Sequence, residues 1–452
     1  MKNLNKNVQI IACLLCAALL LSGCTLQGMQ LPNLASMYGS GTGSAAPAAT
    51  ASQSGDTVTI SRQQYERYQQ FDELLEIMDV VQAKYYEDVD TSVLLESAAA
   101  GLLEGVDDPY TFYYTPEAFK ELWEYDDGKY AGIGIQISIN YTTQICTISR
   151  VFEGGPAQQA GICRGDILYR VEDLYVTSDN INDAIKMMRR EPGTQVNVSF
   201  LRQGEEMSYQ LTCATVTTNR VESTMMDGQV GYIRLYEFAG DCAEKFAEAL
   251  EQLTAQGAKG IIIDLRDNGG GWVEDAQSIG DLFMDQGTLC YLEYKDGHRE
   301  YYKTHNGKTE IPLVVLVNEY SASSSEILTG ALRDRADATV VGVKTYGKGI
   351  VQQVATVGKQ GAGMQVTVAQ YFTPNGYAVH KLGITPDVEI QMPEEDVNRI
   401  FQLADLEDVQ LNKAYETMLL KLAGEPVGNQ GENQGENPGE KQGEKQEEKQ
   451  GK

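Results

Sequence analysis

Histidine is scarce in this chain of 452 residues, and the three histidines are His298, His305 and His380. None of them lies in a recognisable Ser–His–Asp pattern, so the usual base of a hydrolytic serine is missing. Beyond the N-terminal segment no Cys-x-x-Cys spacing is present, and no metal-ligand cluster or phosphate-binding glycine loop stands out. We therefore expect no metal and no other cofactor.

Basic residues are also few, because 36 Lys and Arg stand against 64 Asp and Glu, for a formal charge of −28. Nucleic-acid binding needs basic patches, so this balance argues against a nucleic-acid partner. The excess of acid favours solubility and says little about the fold. With 42% hydrophobic residues the chain has ample material for cores, and its length predicts two or three domains.

Long apolar runs are restricted to the N-terminus, where Lys2 and Lys6 precede an apolar run over 8–21 and Leu21-Ser22-Gly23-Cys24. The run is shorter than the roughly 20 residues of a membrane-spanning helix and is typical of a signal peptide. Its end resembles a bacterial lipoprotein box, which implies that Cys24 becomes the lipidated first residue. The predicted location is then the extracytoplasmic face of the cell membrane. A plain secretory signal and an uncleaved anchor are the alternatives.

The other cysteines predict no disulfide framework, since an odd number remains after the N-terminal segment. These cysteines are Cys146, Cys163, Cys213, Cys242 and Cys290. We interpret them mostly as small buried hydrophobic residues. A disulfide within 146–213 stays open.

Composition and periodicity divide the chain into segments. Apolar residues recur at three- and four-residue steps from Phe71 to Tyr85, and a second helix is expected from Ser92 to Leu103. Residues 217–396 alternate strands with helices, which predicts an α/β core. The expected segments are a signal peptide (1–24), a flexible linker (25–60), a helical region (61–128), a glycine-rich β domain (129–216), the α/β core (217–396), a C-terminal helix (397–423) and a disordered polar tail (424–452).

Two short motifs indicate a nucleophile and an unusual base. Ser323 lies in Val317-Asn318-Glu319-Tyr320-Ser321-Ala322-Ser323-Ser324-Ser325-Glu326, and Lys348 lies in Thr345-Tyr346-Gly347-Lys348-Gly349-Ile350-Val351-Gln352. A serine needs a base to attack an amide, and a lysine can serve where burial disfavours its charged form. Alternatively, these serines cap a helix and the lysine is a solvated surface charge.

A third motif is Asp264-Leu265-Arg266-Asp267-Asn268-Gly269-Gly270-Gly271. Together the three motifs resemble the carboxyl-terminal processing peptidases, also called tail-specific proteases. The family segments read Ser-Ala-Ser-Ala-Ser-Glu, Thr-Phe-Gly-Lys-Gly-x-Val-Gln and Asp-Leu-Arg-x-Asn-Pro-Gly-Gly. The 25-residue separation of Ser323 from Lys348 fits the family spacing. The resemblance covers roughly residues 65–395.

The resemblance implies a role for each residue of the site. Ser323 is the expected nucleophile, with Ser321 as the second choice, and Lys348 is the general base that later protonates the leaving amine. Gln352 would orient the lysine amine without adding charge.

Backbone N–H groups of Gly270 and Ser324 would stabilise the oxyanion. Gly269 replaces the family's proline, so Gly269 and Gly271 stay open as alternative donors. We expect Asp264 and Arg266 to form a structural ion pair, and Asp267 to be exposed.

Residues 129–216 resemble a PDZ domain. Gly132-Ile133-Gly134-Ile135 is similar to the carboxylate-binding loop, and a second helix is expected over 182–189. Glycines let backbone N–H groups converge on a C-terminal carboxylate while the peptide adds a strand to the sheet edge. The predicted fold class is therefore a helical N-terminal segment, a PDZ domain and an α/β protease core.

The sequence as a whole predicts an extracytoplasmic serine endopeptidase that recognises protein C-terminal tails through its PDZ domain. It would cleave through a Ser–Lys(–Gln) acyl-enzyme. Its expected partners are proteins or peptides with exposed C-termini and, through lipid on Cys24, the membrane. A homodimer formed through the helical ends is a further expectation. The alternatives are a catalytically silent tail-binding scaffold on the same fold and a peptidoglycan-associated adaptor.

Overall fold

The computed structural model describes residues 59–126, 128–140, 143–305, 307, 309–393, 396 and 407–427, together with the short strand β1 (Cys24–Leu26). The predictions for residues 1–23, for most of the linker and for the tail from 428 lie outside the described residues. No helix in these ranges is long and apolar enough to cross a membrane.

The N-terminal region forms three helices: α1 (Arg62–Gln69), α2 (Asp72–Lys84) and α3 (Thr91–Glu104). Ser61 caps α1 in a capping box with Gln64, and Asp90 caps α3 through the Ser92 N–H. The predicted helix over 92–103 is thus observed, extended by one residue at each end. No residue of these helices is buried, although many of their side chains are large and apolar.

A strand and a helix link this region to the rest of the chain. Strand β2 (Phe112–Tyr114) pairs with a strand of the core, and α4 (Pro116–Asp126) packs through Phe119 in a small cluster with Tyr114 and Val354. Trp123 of α4 stacks on Trp272 with 5.8 Å between ring centroids and 6° between ring planes.

The predicted PDZ region forms a sheet in the order β4-β5-β6-β8-β9, with β7 on β6, and a separate β3–β10 pair. Its elements are β3 (Lys129–Gly132), β4 (Ile135–Asn140), β5 (Ile145–Val151), α5 (Pro156–Gln159), β6 (Ile167–Val171), β7 (Leu174–Tyr175), α6 (Ile181–Met188), β8 (Gln195–Arg202), β9 (Glu205–Thr212) and β10 (Ala214–Thr217). The helix expected over 182–189 corresponds to α6. No disulfide forms among the described cysteines: Cys146 and Cys213 are both buried in this unit's core, and the Cys213 thiol donates to the Met188 carbonyl at 3.4 Å.

The core contains a six-stranded sheet in the order β11-β12-β13-β16-β17-β20, which is parallel from β12 onward. Along β13, Ile261 and Ile263 face a cluster covered by α7, α8 and α9, whereas Ile262 faces α10. Burial on both faces explains the run of β-branched residues that predicted a buried strand. The elements are β11 (Val221–Met226), a 3-10 turn (Asp227–Gln229), β12 (Val230–Leu235), α7 (Cys242–Ala255), β13 (Gly260–Asp264), α8 (Val273–Asp281), β14 (Gly287–Tyr294), β15 (Arg299–Thr304), β16 (Leu313–Val317), α9 (Ser324–Arg335), β17 (Thr339–Gly342), β18 (Ile350–Val357), β19 (Ala362–Phe372), β20 (Val388–Glu389) and α10 (Val409–Ala423).

A second sheet in the order β1-β18-β19-β14-β15, with β2 on β19, lies beside the first. In this sheet β1 runs parallel to Val351–Gln353 of β18. Of the C-terminal helix predicted over 397–423, the structure describes α10, and residues 397–406 lie outside the described residues.

The parallel core sheet brings the three sequence motifs to one edge. The glycine motif follows β13, the serine motif follows β16 and the lysine motif follows β17, and these strands are neighbours. Because the carboxyl ends of parallel strands share an edge, the loops after them meet. Motifs that are far apart in sequence therefore assemble into one candidate site.

A buried ion network holds the start of the glycine motif. Arg266 lies 2.8 Å from Asp264 and 2.9 Å from Asp408, which is the N-cap of α10. Burial alone would raise the pKa of the Asp264 carboxyl, but Arg266 and Arg234 hold this pKa below its usual value. The expected Asp264–Arg266 ion pair is thus observed, and Asp267 is exposed as expected. The network also attaches α10 to the edge that carries the site.

Candidate active site

Ser323 occupies the N-cap of α9 and is fully buried. Its backbone adopts φ 61° and ψ −118°, a conformation that is rare for a residue with a Cβ. Such strain persists only where surrounding contacts enforce it, and it is common at functional turns. Ser323 thus lies at a turn between strand β16 and helix α9.

The hydroxyls of the neighbouring serines donate hydrogen bonds that stabilise the loops. The Ser321 hydroxyl donates to the Leu265 carbonyl at 2.7 Å. The Ser324 hydroxyl donates to the Gly271 carbonyl at 2.9 Å, and the Ser325 hydroxyl donates to the Asn268 carbonyl at 2.8 Å. These bonds hold the loop over 318–323 (the serine loop) against the loop over 265–272 (the glycine loop). The Ser321 hydroxyl therefore has a structural role in the described arrangement.

Gly270 contacts the candidate nucleophile directly. A Cβ placed on Gly270 would lie 2.7 Å from Ser323 Cβ and 2.9 Å from the Ser324 backbone nitrogen, and the residue has φ +105°. Only glycine accommodates both the conformation and the close approach. The Gly270 N–H donates to Asn268 Oδ1 at 2.9 Å, so this donor is engaged within its own loop. The assignment of Gly270 and Ser324 as oxyanion donors stays a prediction.

Lys348 is 4% exposed, so its ammonium is not a solvated surface charge. The flanking glycines allow the chain to pack closely, as expected. A Cβ on Gly347 would lie 2.9 Å from the Gly383 nitrogen, and a Cβ on Gly349 would lie 2.1 Å from the His380 nitrogen. Lys348 Nζ lies 4.0 Å from the centroid of the Tyr110 ring.

Glu326 links the serine loop to the loop over 343–349 (the lysine loop). Sequence reasoning assigned Glu326 no role. One carboxylate oxygen accepts the backbone N–H groups of Ser323 and Lys348, each at 2.9 Å. The other accepts the Gly347 N–H at 2.7 Å and the Thr345 hydroxyl. We call these contacts the Glu326 bridge. The signal that could have revealed it is the Ser-x-x-Glu capping pattern that begins at Ser323.

The electrostatics of the Glu326 bridge combine two opposing effects. Burial raises the pKa of the Glu326 carboxyl, whereas its hydrogen bonds from Thr345 and from backbone N–H groups lower it. The Tyr371 hydroxyl donates to the Ser323 carbonyl at 3.2 Å and lies 3.4 Å from Glu326 Oε2. A buried carboxylate surrounded by donors fixes the spacing of the two loops, because losing one acceptor leaves several buried donors unsatisfied.

Gln352 is fully buried in β18, four positions after Lys348. Its amide nitrogen donates to the Thr367 hydroxyl on β19 at 3.1 Å. Among the described residues, its amide oxygen accepts no hydrogen bond. This oxygen can accept a hydrogen bond from an amine or from a substrate N–H, and its role as orienting group for Lys348 stays a prediction.

The predicted carboxylate-binding loop lies beside an open strand. Gly132 ends β3, Ile135 begins β4, and Gly134 between them has φ +85° and lies against Gly155. Within the described sheet, β4 is an edge strand. An edge strand presents backbone groups to which a peptide strand can add. The arrangement is suitable for a C-terminal tail bound beside Ile133.

The PDZ region contacts the core next to the glycine loop. The Arg150 guanidinium lies 3.5 Å from the centroid of the Tyr236 ring and 3.3 Å from Glu222, and the Tyr236 hydroxyl donates to Glu222 at 2.7 Å. The residue before Tyr236 is Leu235, whose carbonyl accepts the side-chain amide of Asn268 at 2.8 Å. A short path of direct contacts thus connects the PDZ region to the glycine loop.

Comparison with known proteins gives several matches. Residues 229–390 match peptidase family S41, residues 34–118 match the N-terminal domain of the activating protease CtpB, and residues 147–202 match a PDZ domain. A carboxyl-terminal-processing protease of Synechocystis sp. is 36% identical over 319 residues, which cover 69% of this chain and 74% of that protein. Carboxy-terminal processing protease CtpA of Bacillus subtilis is 33% identical over 327 residues, which cover 72% of this chain and 70% of that protein.

Among solved structures, the photosystem II D1 C-terminal processing protease aligns with a TM-score of 0.50 and 28% identity. The alignment covers 76% of this chain and 98% of that chain. Together with the PDZ match, it confirms the predicted fold class of a helical N-terminal region, a PDZ domain and a mixed α/β core.

Replacing Glu326 by glutamine tests the Glu326 bridge. The amide keeps the size of the side chain but replaces an acceptor oxygen with a donor, so at least one buried N–H loses its partner. We expect the free energy of unfolding to fall by about 1–3 kcal/mol. Displacement of the serine and lysine loops should lower kcat by about 100-fold. Urea unfolding and peptide cleavage measure the two effects.

The matched control is Glu319→Gln, since Glu319 is exposed in the same loop. This control should change neither quantity noticeably. Wild-type stability and turnover in Glu326→Gln would show that the bridge does not set the spacing of the two loops.

Proposed function

Because the chain belongs to peptidase family S41 and is a C-terminal processing serine protease with a PDZ domain, we propose that its chemistry proceeds through Ser323, Lys348 and Gln352. The observation that supports this assignment most directly is the Glu326 bridge. One carboxylate oxygen accepts backbone N–H groups from both Ser323 and Lys348. Two residues 25 positions apart in sequence are thereby held in one buried site.

In the proposed mechanism, Ser323 Oγ attacks the scissile carbonyl while Lys348 Nζ takes the hydroxyl proton. Collapse of the tetrahedral intermediate breaks the C–N bond, and Lys348 returns the proton to the leaving amine. Water then attacks the acyl-enzyme with Lys348 again as base, which releases the new C-terminus and restores the serine. Gln352 orients the lysine amine without adding a charge that would hold the proton.

Backbone N–H groups of Gly270 and Ser324 are the proposed oxyanion donors. The Gly270 N–H points to Asn268 Oδ1 at 2.9 Å. An incoming oxyanion must therefore share or displace this contact. We propose that the described conformation is a resting arrangement and that substrate binding reorients the glycine loop.

The proposed substrate is a protein with an exposed, apolar C-terminus. Its tail would add as a strand to β4, with its carboxylate at Gly132-Ile133-Gly134-Ile135. The contacts of Arg150 with Tyr236 and of Leu235 with Asn268 offer a route by which tail binding could gate the glycine loop. The silent scaffold is the alternative, and it is distinguished by the absence of any Ser323-dependent cleavage.

Cleavage of an unstructured protein with an apolar C-terminus tests the assignment. Ser323→Ala and Lys348→Ala should each lower kcat/KM by about 10⁴-fold, and the double variant should be little worse, because the residues act as one unit. A substrate whose tail ends in charged residues should be cleaved more slowly. Rates and melting temperatures are measured for every variant.

The controls are Ser321→Ala and Lys344→Ala. Ser321→Ala separates the two candidate nucleophiles and should keep most of its turnover per folded molecule. Lys344 is exposed in the lysine loop, so its variant should resemble the wild type. Tail binding by the wild type without any cleavage would favour the scaffold, and cleavage lost only in Ser321→Ala would move the nucleophile.

We further propose that Cys24 carries a lipid and holds the enzyme on the extracytoplasmic face of the membrane. The support is the sequence pattern of Lys2, Lys6, the apolar run and Cys24. Wild-type full-length chain expressed in bacteria should incorporate a labelled fatty acid and sediment with membranes, whereas Cys24→Ser should do neither. Equal labelling of both proteins would rule out lipidation at this position.

The proposed oligomer is a homodimer formed through α1–α3. Their apolar side chains remain exposed, for example Leu102 at 70% and Ile77 at 54%. Two copies of one apolar face can cover each other around a two-fold axis. Sedimentation of residues 25–452 should give a dimer, and Leu102→Glu should shift it to a monomer. Leu420→Glu on α10 is the control, and a monomeric wild type would contradict the proposal.

A further inference from the structure

Tyr110 reaches the candidate site from the turn before β2, far upstream of every motif that defines the site. Its ring centroid lies 4.0 Å from Lys348 Nζ. At this distance the face of an aromatic ring attracts an ammonium group, and the attraction is larger where water is excluded. Lys348 is only 4% exposed, so the ring replaces part of the hydration of the amine.

The turn that carries Tyr110 is fixed on both sides. The Asp108 carboxylate accepts the Tyr110 N–H at 3.2 Å and the Thr111 hydroxyl at 2.6 Å. On the other side, the Tyr110 carbonyl accepts the Gln365 amide at 3.1 Å, and Thr111 Oγ1 accepts the Thr367 N–H at 3.1 Å. The turn is therefore anchored to β19, next to the strand that contains Gln352. An anchored ring can define where the lysine amine lies.

We propose that Tyr110 is a positioning residue of the Ser–Lys site, which holds the Lys348 amine by its ring face and stabilises the ammonium that forms when Ser323 loses its proton. This inference rests on the proposed function of Lys348. The step is balanced: the proton leaves Ser323 Oγ, binds Lys348 Nζ, and passes to the leaving amine. The ring gains interaction energy only while the amine is charged.

Stabilising the ammonium has two opposite consequences for the rate. It favours the transition state, in which Lys348 acquires charge, so it raises the plateau of kcat/KM at high pH. It also keeps the lysine protonated in the free enzyme, so the acid limb of the pH profile lies at higher pH than it would without the ring. Removal of the ring should therefore lower the plateau and move the acid limb to lower pH.

The other ionisable groups around Lys348 are unchanged when only the Tyr110 ring is replaced. Glu326 on α9 accepts the Lys348 backbone N–H, and Tyr371 of β19 lies beside Glu326. Tyr346 on the lysine loop lies 3.5 Å from the Tyr110 hydroxyl, while His380 packs against Gly349 and Lys381 donates its N–H to Gly347. Burial and the charge of Lys381 lower the pKa of His380. A change confined to the Tyr110 ring leaves all of these groups in place.

The test compares Tyr110→Leu, which removes the aromatic face, with Tyr110→Phe, which keeps it. In residues 25–452, Tyr110→Leu should lower the plateau of kcat/KM roughly 3- to 30-fold. It should also shift the acid limb downward by about half to one pH unit. Tyr110→Phe should stay within about 3-fold of the wild type with an unshifted limb. Phe112→Leu on β2 controls for loosening of the segment and should leave the limb unmoved.

A second readout does not depend on activity. In protein labelled at lysine, the Lys348 ε-methylene protons, assigned by their loss in Lys348→Arg, should be shifted upfield by the ring current. The shift should persist in Tyr110→Phe and disappear in Tyr110→Leu. A Lys348 signal at the ordinary lysine position in the wild type overturns the contact itself.

The two readouts separate the possible failures. The role of Tyr110 would be merely structural if two results came together. The acid limb of Tyr110→Leu would lie at the same pH as that of the wild type, and its plateau of kcat/KM would fall by the same factor as in Phe112→Leu. Absence of wild-type cleavage would overturn the proposed function and any catalytic part for Tyr110. The ring-current shift would in that case still decide whether Tyr110 holds the amine.

Discussion

The candidate site depends on one buried carboxylate. Glu326 accepts backbone N–H groups from the serine loop and from the lysine loop, and it thereby defines the distance between two segments that no secondary structure joins directly. Several donors on a single anion form a cooperative unit, because each bond polarises the others and the loss of the anion leaves all of them buried. The strained backbone of Ser323 is maintained by this same contact.

The glycine loop is fixed by a different set of contacts. Arg266 at its start is fixed between Asp264 and Asp408, and Asn268 within it contacts Leu235, Ala322 and Ser325. At its end, Trp272 stacks on Trp123, so the only two tryptophans of the chain touch one another. Helix α4, which carries Trp123, leads directly into the PDZ region.

Local patterns predicted most of the fold. The helices expected over 92–103 and 182–189 were found within one residue of their observed ends, because apolar periodicity and glycine punctuation report local structure. The N-terminal pattern from Phe71 to Tyr85 predicted a helix, and α2 lies within one residue of that range at each end. The separate helix α1 precedes it. Family resemblance assigned Ser323, Lys348 and Gln352 to one site, and that assignment stays a prediction.

The contacts between distant segments were out of reach of such reasoning. Glu326 was visible only as part of a capping pattern, and sequence reasoning assigned neither Tyr110 nor Asp408 a role. A carboxylate on one helix can accept hydrogen bonds from any loop that lies beside it. Which loops lie there depends on the strand order of the parallel sheet, which the whole core determines.

The sequence by itself thus determined the family and the modules, and it supplied the residues that we propose as reactive groups, because residue type and spacing are local. Only the tertiary structure decided which backbone groups the Glu326 carboxylate joins and which ring the lysine amine meets. These contacts form where strands β13, β16 and β17 end together, and a pairing of strands is encoded by the whole core rather than by any one motif.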